Sequence, residues 1–148
     1  TANELSEKAF QLFFKERNKV EFFPYVLDEI EKLAQIYELG CLTNGNADIE
    51  MIGIGKFFKF NISSKDVNAN KPNKNHFQKA VELLGISKEE ILHIGDHKIN
   101  DMLGAISYGV KALWFNPDKE DWDLDDIKKP SEFNSWQGVT EKINNFYS

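Results

Sequence analysis

The 148-residue chain has little cysteine, little proline and no long apolar run. Its single cysteine, Cys41, excludes an internal disulfide framework and is typical of a reducing cytoplasm. The apolar runs are far shorter than the roughly 20 residues that a bilayer-spanning helix needs, so no membrane role is predicted. Residues 1–8 are polar, and their pattern predicts an ordinary helix rather than a signal peptide.

An excess of positive charge is also missing. The formal net charge of −6 argues against nonspecific binding to nucleic acid. Because the overall field would repel a phosphate, any phosphate that this protein handles must be held by local groups. The length and the share of apolar residues predict one soluble cytoplasmic domain.

Apolar helical patterns alternate with short apolar runs along the chain. This alternation predicts an α/β fold in which crossover helices connect the strands of a parallel sheet. Residues 117–126 are predicted to form an acidic surface loop. The predicted helices are 5–17, 24–40, 47–54, 72–85, 99–108 and a last one around 139–146, and the predicted strands are 41–43, 57–62, 91–94 and 110–115.

Two segments place polar groups where predicted strands end, which is where open parallel sheets bind ligands. The turn Thr43-Asn44-Gly45 offers a hydroxyl and backbone N–H groups to phosphate oxygens, although such a turn alone is more often simple turn chemistry. Lys71, directly before Pro72, would bring an ammonium to the same strand ends. A lone Lys-Pro pair is more often a solvated loop lysine.

A third segment, residues 91–101, carries the strongest signal. An apolar strand runs into Gly95, followed by Asp96 and, five residues later, Asp101. Both carboxylates could face one point and ligate Mg²⁺, which takes one or two carboxylates together with water and substrate phosphate. The structural alternative makes Asp101 a favourable charge at a helix N-terminus and Asp96 a turn former.

Three segments resemble motifs II, III and IV of the haloacid dehalogenase (HAD) superfamily in their order and spacing. They are the turn at 43–46, the Lys-Pro pair at 71–72, and the Gly-Asp pair at 95–96 with Asp101. The resemblance covers about residues 23–117, and it looks closest to the bacterial riboflavin-pathway and FMN phosphatases. It implies a Rossmann-like parallel sheet with flanking helices. It also implies a magnesium-dependent phosphatase that acts on a small phosphorylated metabolite.

The same resemblance implies a role for each matching residue. Thr43 with Asn44 would bind the phosphoryl oxygens, and Lys71 would neutralise the nucleophile and the transferring group. Asp96 would ligate Mg²⁺ directly or through water, with Asp101 as the second acidic residue of the metal site. Phosphoryl transfer depends mainly on such positioning and charge neutralisation.

One motif of the superfamily is missing from this chain. Relatives carry an aspartate nucleophile on the central strand and a second aspartate two residues later, and this chain begins after that point. We therefore expect a fragment, inactive alone, of an enzyme that works through an aspartyl-phosphate. Residues 1–22 are interpreted as a remnant of the helical cap, and 23–148 as the HAD-like core without its first strand. The resulting gap would be covered by self-association or by a rearranged sheet.

An Asp-x-Asp pattern does occur at Asp121 and Asp123. The polar residues 117–120 before it do not fit a buried strand, so we interpret it as a solvated acidic loop. Two rival functions stay open. A metal-independent dehalogenase is disfavoured by the acidic pair at Asp96 and Asp101, and a noncatalytic binding or regulatory domain would have lost the nucleophile.

Three other residues are predicted to have structural roles or positions. His93 alternates with apolar neighbours in a predicted strand and is interpreted as a core histidine. His97 borders the predicted metal site, and a surface position is favoured for it. Trp114 is expected to lie in the core because it belongs to a predicted strand.

Overall fold

The computed structural model describes residues 2–3, 22–45 and 48–147. Six strands form one parallel sheet in the order β3-β2-β1-β4-β5-β6. The strands are β1 (Ala2–Asn3), β2 (Glu38–Leu42), β3 (Phe60–Ile62), β4 (Leu92–Gly95), β5 (Lys111–Phe115) and β6 (Ser131–Phe133). The α-helices are α1 (Val26–Ile36), α2 (Ile49–Ile52), α3 (Ser64–Val67), α4 (Asn75–Leu84), α5 (Gly104–Tyr108) and α6 (Val139–Tyr147), and a π-helical turn, Lys98–Leu103, precedes α5.

This strand order is that of a doubly wound α/β sheet, which confirms the predicted fold class. The order reverses between β1 and β4, because β2 and β3 lie on one side of β1 and β5 and β6 lie beyond β4. Ligands of such sheets bind outside the carboxyl ends of the strands at this reversal. The fold therefore predicts a ligand site at the loops that follow β2 and β4.

Apolar side chains cover both faces of the sheet. One core joins α1 and α6 to the sheet, with Ile30, Ile94 and Phe115 among its buried residues. A second core joins α4 and α5 to the opposite face and includes Phe77 and Ala105. Burial of these side chains supplies the main driving force for folding and holds the strand ends in place.

Most predicted elements are present with shifted ends. Gly85 adopts a left-handed conformation (φ 64°) and ends α4 as expected. Gly40, in contrast, does not end a helix: α1 stops at Ile36 and Gly40 lies within β2. A Cβ at Gly40 would lie 2.2 Å from the Phe60 ring, so close packing between β2 and β3 requires glycine here.

The predicted gap in the sheet is filled at the level of Leu39 and Leu92. Ala2 and Asn3 pair in parallel with β2 and Asn3 also pairs with β4, so the chain's own N-terminal residues occupy the central position. The prediction of a helix over 1–8 is wrong at these two residues, because extended backbone pairing overrides their weak local pattern. Self-association through this part of the sheet stays a prediction.

The acidic segment 117–126 contains no helix or strand, as expected. β6 was missed because its three residues are too short to show alternation. The predicted helix 5–17 and cap remnant lie almost wholly outside the described residues. Within the described part of the chain, no helix is long and apolar enough to cross a membrane.

Candidate active site

The turn after β2 ties two loops of the site together. Thr43 is buried, and its hydroxyl oxygen accepts a hydrogen bond from the Gly45 N–H at 3.0 Å. A threonine hydroxyl that accepts one bond can still donate its proton to a phosphate oxygen. The Asn44 side chain donates to the Lys71 carbonyl at 3.0 Å and accepts from the Lys71 N–H at 2.7 Å. Asn44 therefore fixes the Lys71 backbone beside Thr43.

Lys71 is buried at the point where the loops meet, and its peptide bond to Pro72 is cis. Its ammonium donates to Asp101 Oδ1 at 2.6 Å and to the Leu42 carbonyl at 3.0 Å. A buried ammonium is stable only when it is paired and hydrogen-bonded. The alternative of a solvated loop lysine is therefore excluded, and the positive charge is held at the end of β2.

Asp101 lies in the π-helical turn and is fully buried. One carboxylate oxygen accepts from Lys71 and from His93 Nε2 at 2.9 Å, and the other accepts from the His97 N–H at 3.1 Å. Burial raises the pKa of Asp101, but the Lys71 ammonium and the His93 hydrogen bond outweigh it and hold the pKa far below its ordinary value. Asp101 is thus an anion locked between protein donors.

This geometry separates Asp101 from Asp96. Asp96 follows β4 directly and is only half-buried, and its backbone carbonyl accepts a hydrogen bond from the Trp114 indole at 3.0 Å. The sequence-based assignment gave both acids to the metal. Because both of its oxygens accept hydrogen bonds from protein donors, Asp101 pairs with Lys71 instead of facing the rim. Spacing alone could not distinguish the acid that faces inward from the one at the rim.

Gly95 makes this arrangement sterically possible. A Cβ at this position would lie 2.3 Å from Cγ of Asp101. Real side chains do not approach so closely, so only glycine lets the turn fold Asp101 back against the end of β4. Close packing against Asp101 therefore explains why the predicted motif has glycine at position 95.

The histidines of the site have distinct positions. His93 is buried against the Phe77 ring, at a centroid distance of 5.0 Å, which agrees with its prediction as a core residue. His97 is exposed, and its Nδ1 accepts from the N–H groups of Ile99 and Asn100, so it caps the π-helical turn.

Sequence reasoning missed His76. Its side chain is fully buried, and its Nε2 lies 2.9 Å from the Thr43 carbonyl. Burial lowers the pKa of His76, and the bond to Thr43 only partly opposes this effect. The neutral ring donates to Thr43 and supports the turn after β2. Its place in the first turn of α4, next to the Lys-Pro pair, was the available signal.

The three predicted loops therefore meet at one rim of the sheet, as expected. Lys71 bonds to Leu42, the residue before Thr43, and also to Asp101, which contacts the backbone of His97, the residue after Asp96. β1 does not reach this level: Asn3 pairs with Leu39 and Leu92, each four residues before Thr43 and Asp96. Among the described residues, none occupies the central strand beside these two groups.

The Asp-x-Asp pattern in the acidic loop lies away from this convergence. Asp121 and Asp123 are exposed, and Lys98 bonds to the Asp121 carbonyl at 3.1 Å and to the Asp123 carboxylate at 2.9 Å. Neither aspartate follows a buried strand. The segment is the surface loop that the sequence predicted.

A doubly wound sheet with a buried lysine, a threonine hydroxyl and a rim carboxylate at its switch point is typical of α/β proteins that bind a ligand at the ends of their strands. The sequence model of haloacid dehalogenase-like hydrolases matches residues 2–115. The chain belongs to this family, and the resemblance found from the three motifs is confirmed.

Individual relatives agree with this assignment. The chain is 34% identical over 115 residues to the 5-amino-6-(5-phospho-D-ribitylamino)uracil phosphatase YigB of Escherichia coli K12, covering 75% of this chain and 48% of the relative. A 2-haloacid dehalogenase structure from Pseudomonas syringae has a TM-score of 0.82 and 31% identity over 94% of this chain and 60% of that chain. A magnesium-bound HAD hydrolase structure from Bacillus subtilis has a TM-score of 0.76 and 27% identity, covering 84% and 57%. The chain spans about half the length of the curated relative.

Proposed function

We propose that this chain is part of a magnesium-dependent phosphate monoester hydrolase that acts on a small phosphorylated metabolite. The observation that carries the proposal is the buried Lys71 ammonium, which is fixed at the end of β2 beside Thr43 and on the same rim as Asp96. A cation and a hydroxyl at a strand end suit the oxygens of a phosphoryl group. A rim carboxylate suits a hard divalent cation.

The reaction would proceed in two steps. An aspartate of the family's first motif would attack phosphorus, and the bond to the ester oxygen would break as a second acid protonates the leaving alcohol. Water would then cleave the acyl phosphate and release inorganic phosphate. Thr43 would orient the phosphoryl oxygens, and Lys71 would offset the charge that gathers on them. Asn44 would act by holding Lys71 in register.

The described residues fit magnesium in part. No group of three or more potential metal ligands occurs among them. Mg²⁺ takes only one or two protein carboxylates and completes its shell with water and substrate, so Asp96 would supply one ligand. When bound, the ion would neutralise phosphoryl charge. A further carboxylate would come from the first-motif segment that relatives of this family carry.

The substrate class follows from the relatives and is also a proposal. The Escherichia coli relative is named for a phosphorylated ribitylaminouracil. A full-length protein should therefore be assayed with a panel that includes this ester, FMN and glyceraldehyde 3-phosphate, with and without Mg²⁺. We expect phosphate release only with Mg²⁺, and Asp96→Asn should abolish it. Asp126→Asn, a change in the exposed acidic loop, is the matched control and should retain full activity.

A dehalogenase is the second candidate because the Pseudomonas syringae structure is named as one. Chloride release from 2-chloropropionate in the absence of metal would support this candidate. It would also contradict the role given to Asp96. We expect no chloride release.

A further inference from the structure

Asp101 Oδ1 accepts hydrogen bonds from two different side chains at once. Lys71 Nζ lies 2.6 Å from this oxygen and His93 Nε2 lies 2.9 Å from it. All three side chains are at least 98% buried, so water does not compete for these bonds. The position of the ammonium is therefore coupled to the imidazole through a single carboxylate oxygen.

We propose that His93 is a positioning residue for Lys71 and acts through Asp101. The inference deepens the proposed phosphatase function and rests on it. His93 faces α4 from the middle of β4, and its ring packs edge-on against Phe77. This packing fixes the direction of the Nε2–H group. His93 and Lys71 thereby share Asp101 Oδ1 as their acceptor.

Loss of the imidazole N–H would change the ion pair. With only Lys71 and the His97 N–H as donors, the Asp101 carboxylate could turn toward Lys71 and pair with it more tightly. An ammonium drawn toward Asp101 is less available to charge that develops on a phosphoryl group. Because that charge is greatest in the transition state, kcat should fall more than KM changes.

Two variants of the full-length protein separate positioning from packing. His93→Met fills similar space without an N–H group, whereas His93→Gln places an amide N–H near the position of Nε2. With p-nitrophenyl phosphate and Mg²⁺, we expect His93→Met to lower kcat by about tenfold with KM nearly constant, since one bond to a charged group is lost. His93→Gln should restore kcat to within about threefold of the parent. Full kcat in His93→Met, or no rescue by glutamine at an equal melting temperature, would overturn the proposal.

A spectroscopic readout makes the test independent of turnover. In protein labelled with ¹³Cε-lysine, the Lys71 resonance is identified as the one lost in Lys71→Arg. It should shift in His93→Met and return toward the parent position in His93→Gln. If the assays show no phosphatase activity but this shift occurs, the proposed function fails while the coupling holds. An unchanged Lys71 resonance in His93→Met would reject the coupling whatever the assays show.

The proposal can also be tested on the parent protein. This test remains available if the His93→Met protein does not fold. Long-range ¹H–¹⁵N spectra at neutral pH should show His93 protonated at Nε2. A ring protonated only at Nδ1 cannot donate to Asp101 and would overturn the proposal.

Discussion

Lys71 and Asp101 form an ion pair at 2.6 Å in which neither side chain is exposed. The pair joins the loop before α4 to the π-helical turn after β4, so the ends of two segments that are distant in sequence are fixed relative to each other. Each charge is stabilised by the other, because no solvent would stabilise an unpaired charge at this buried position. Removal of one charge alone should therefore cost more stability than removal of both.

Asp101→Asn should destabilise the chain by about 3–5 kcal/mol, because it leaves the Lys71 ammonium buried without its counter-charge. The double variant Lys71→Met/Asp101→Leu should recover most of this loss, since it removes both charges. Urea denaturation measures both effects. As a control, Glu82→Gln breaks the exposed pair with Lys79 and should change stability by less than about 0.5 kcal/mol. If Asp101→Asn and the control lost similar amounts of unfolding free energy, the buried pair would not be required for stability.

Gly95→Ala should misplace Asp101, because the new Cβ would overlap Cγ of that side chain. Overpacking of this kind costs about 1–3 kcal/mol. Gly45→Ala is the matched control, since its Cβ would meet only Thr43 Oγ1 at an ordinary 3.6 Å. Denaturation curves should show a lower free energy of unfolding for Gly95→Ala than for Gly45→Ala. Equal stability would mean that Asp101 does not pack against Gly95.

Glu29 should give the chain a specific sensitivity to acid. This buried residue of α1 accepts from the Gly138 N–H at 3.1 Å and the Thr140 N–H at 3.0 Å, next to the start of α6. Burial raises the pKa of Glu29, but the Thr140 and Gly138 bonds outweigh it and leave the pKa below its ordinary 4.5. A lowered folded-state pKa means that this stabilisation is complete above the unfolded-state pKa and is lost as pH falls through the folded-state value.

Glu29→Gln should therefore be less stable than the parent at neutral pH by about 1–3 kcal/mol. The difference should narrow as pH falls below the ordinary pKa of 4.5, because only the parent loses the charged acceptor. Denaturant unfolding at a series of pH values measures this change. A constant difference across the series would count against an ionised Glu29 at the start of α6.

Trp114 should support magnesium binding through the backbone of Asp96. Trp114→Phe removes the indole N–H that bonds to the Asp96 carbonyl at 3.0 Å while it keeps an aromatic ring in the core. In the full-length protein, the Mg²⁺ concentration for half-maximal activity should rise by about tenfold. Trp122→Phe is the control, because its indole bonds to the Ile127 carbonyl instead. Equal Mg²⁺ dependence in the parent and Trp114→Phe would exclude this support.

Much of the fold was predictable because its signals are local. The apolar run of β4, the glycine at the end of α4 and the polar turn after β2 each indicate structure without tertiary information. β1 was not predictable, since two polar-flanked residues carry no strand pattern and gain their conformation only from pairing with β2 and β4.

The candidate site was predictable as a meeting of loops but not in the direction of its side chains. Sequence spacing brought Thr43, Lys71 and Asp96 to one rim of the sheet. It did not show that Asp101 turns inward to Lys71 or that the Asn44 amide is used on the Lys71 backbone. Such choices depend on burial and on hydrogen-bond partners that are distant in sequence.

A crystal structure of the full-length protein with Mg²⁺ and orthovanadate would show whether Thr43, Lys71 and Asp96 form one phosphoryl-binding site. We expect vanadate oxygens about 3 Å from Thr43 Oγ1 and Lys71 Nζ. We also expect an Asp96 oxygen either about 2.1 Å from Mg²⁺ or bonded to one of its waters. Vanadate and Mg²⁺ bound at a site that excludes Thr43, Lys71 and Asp96 would rule out the proposed site.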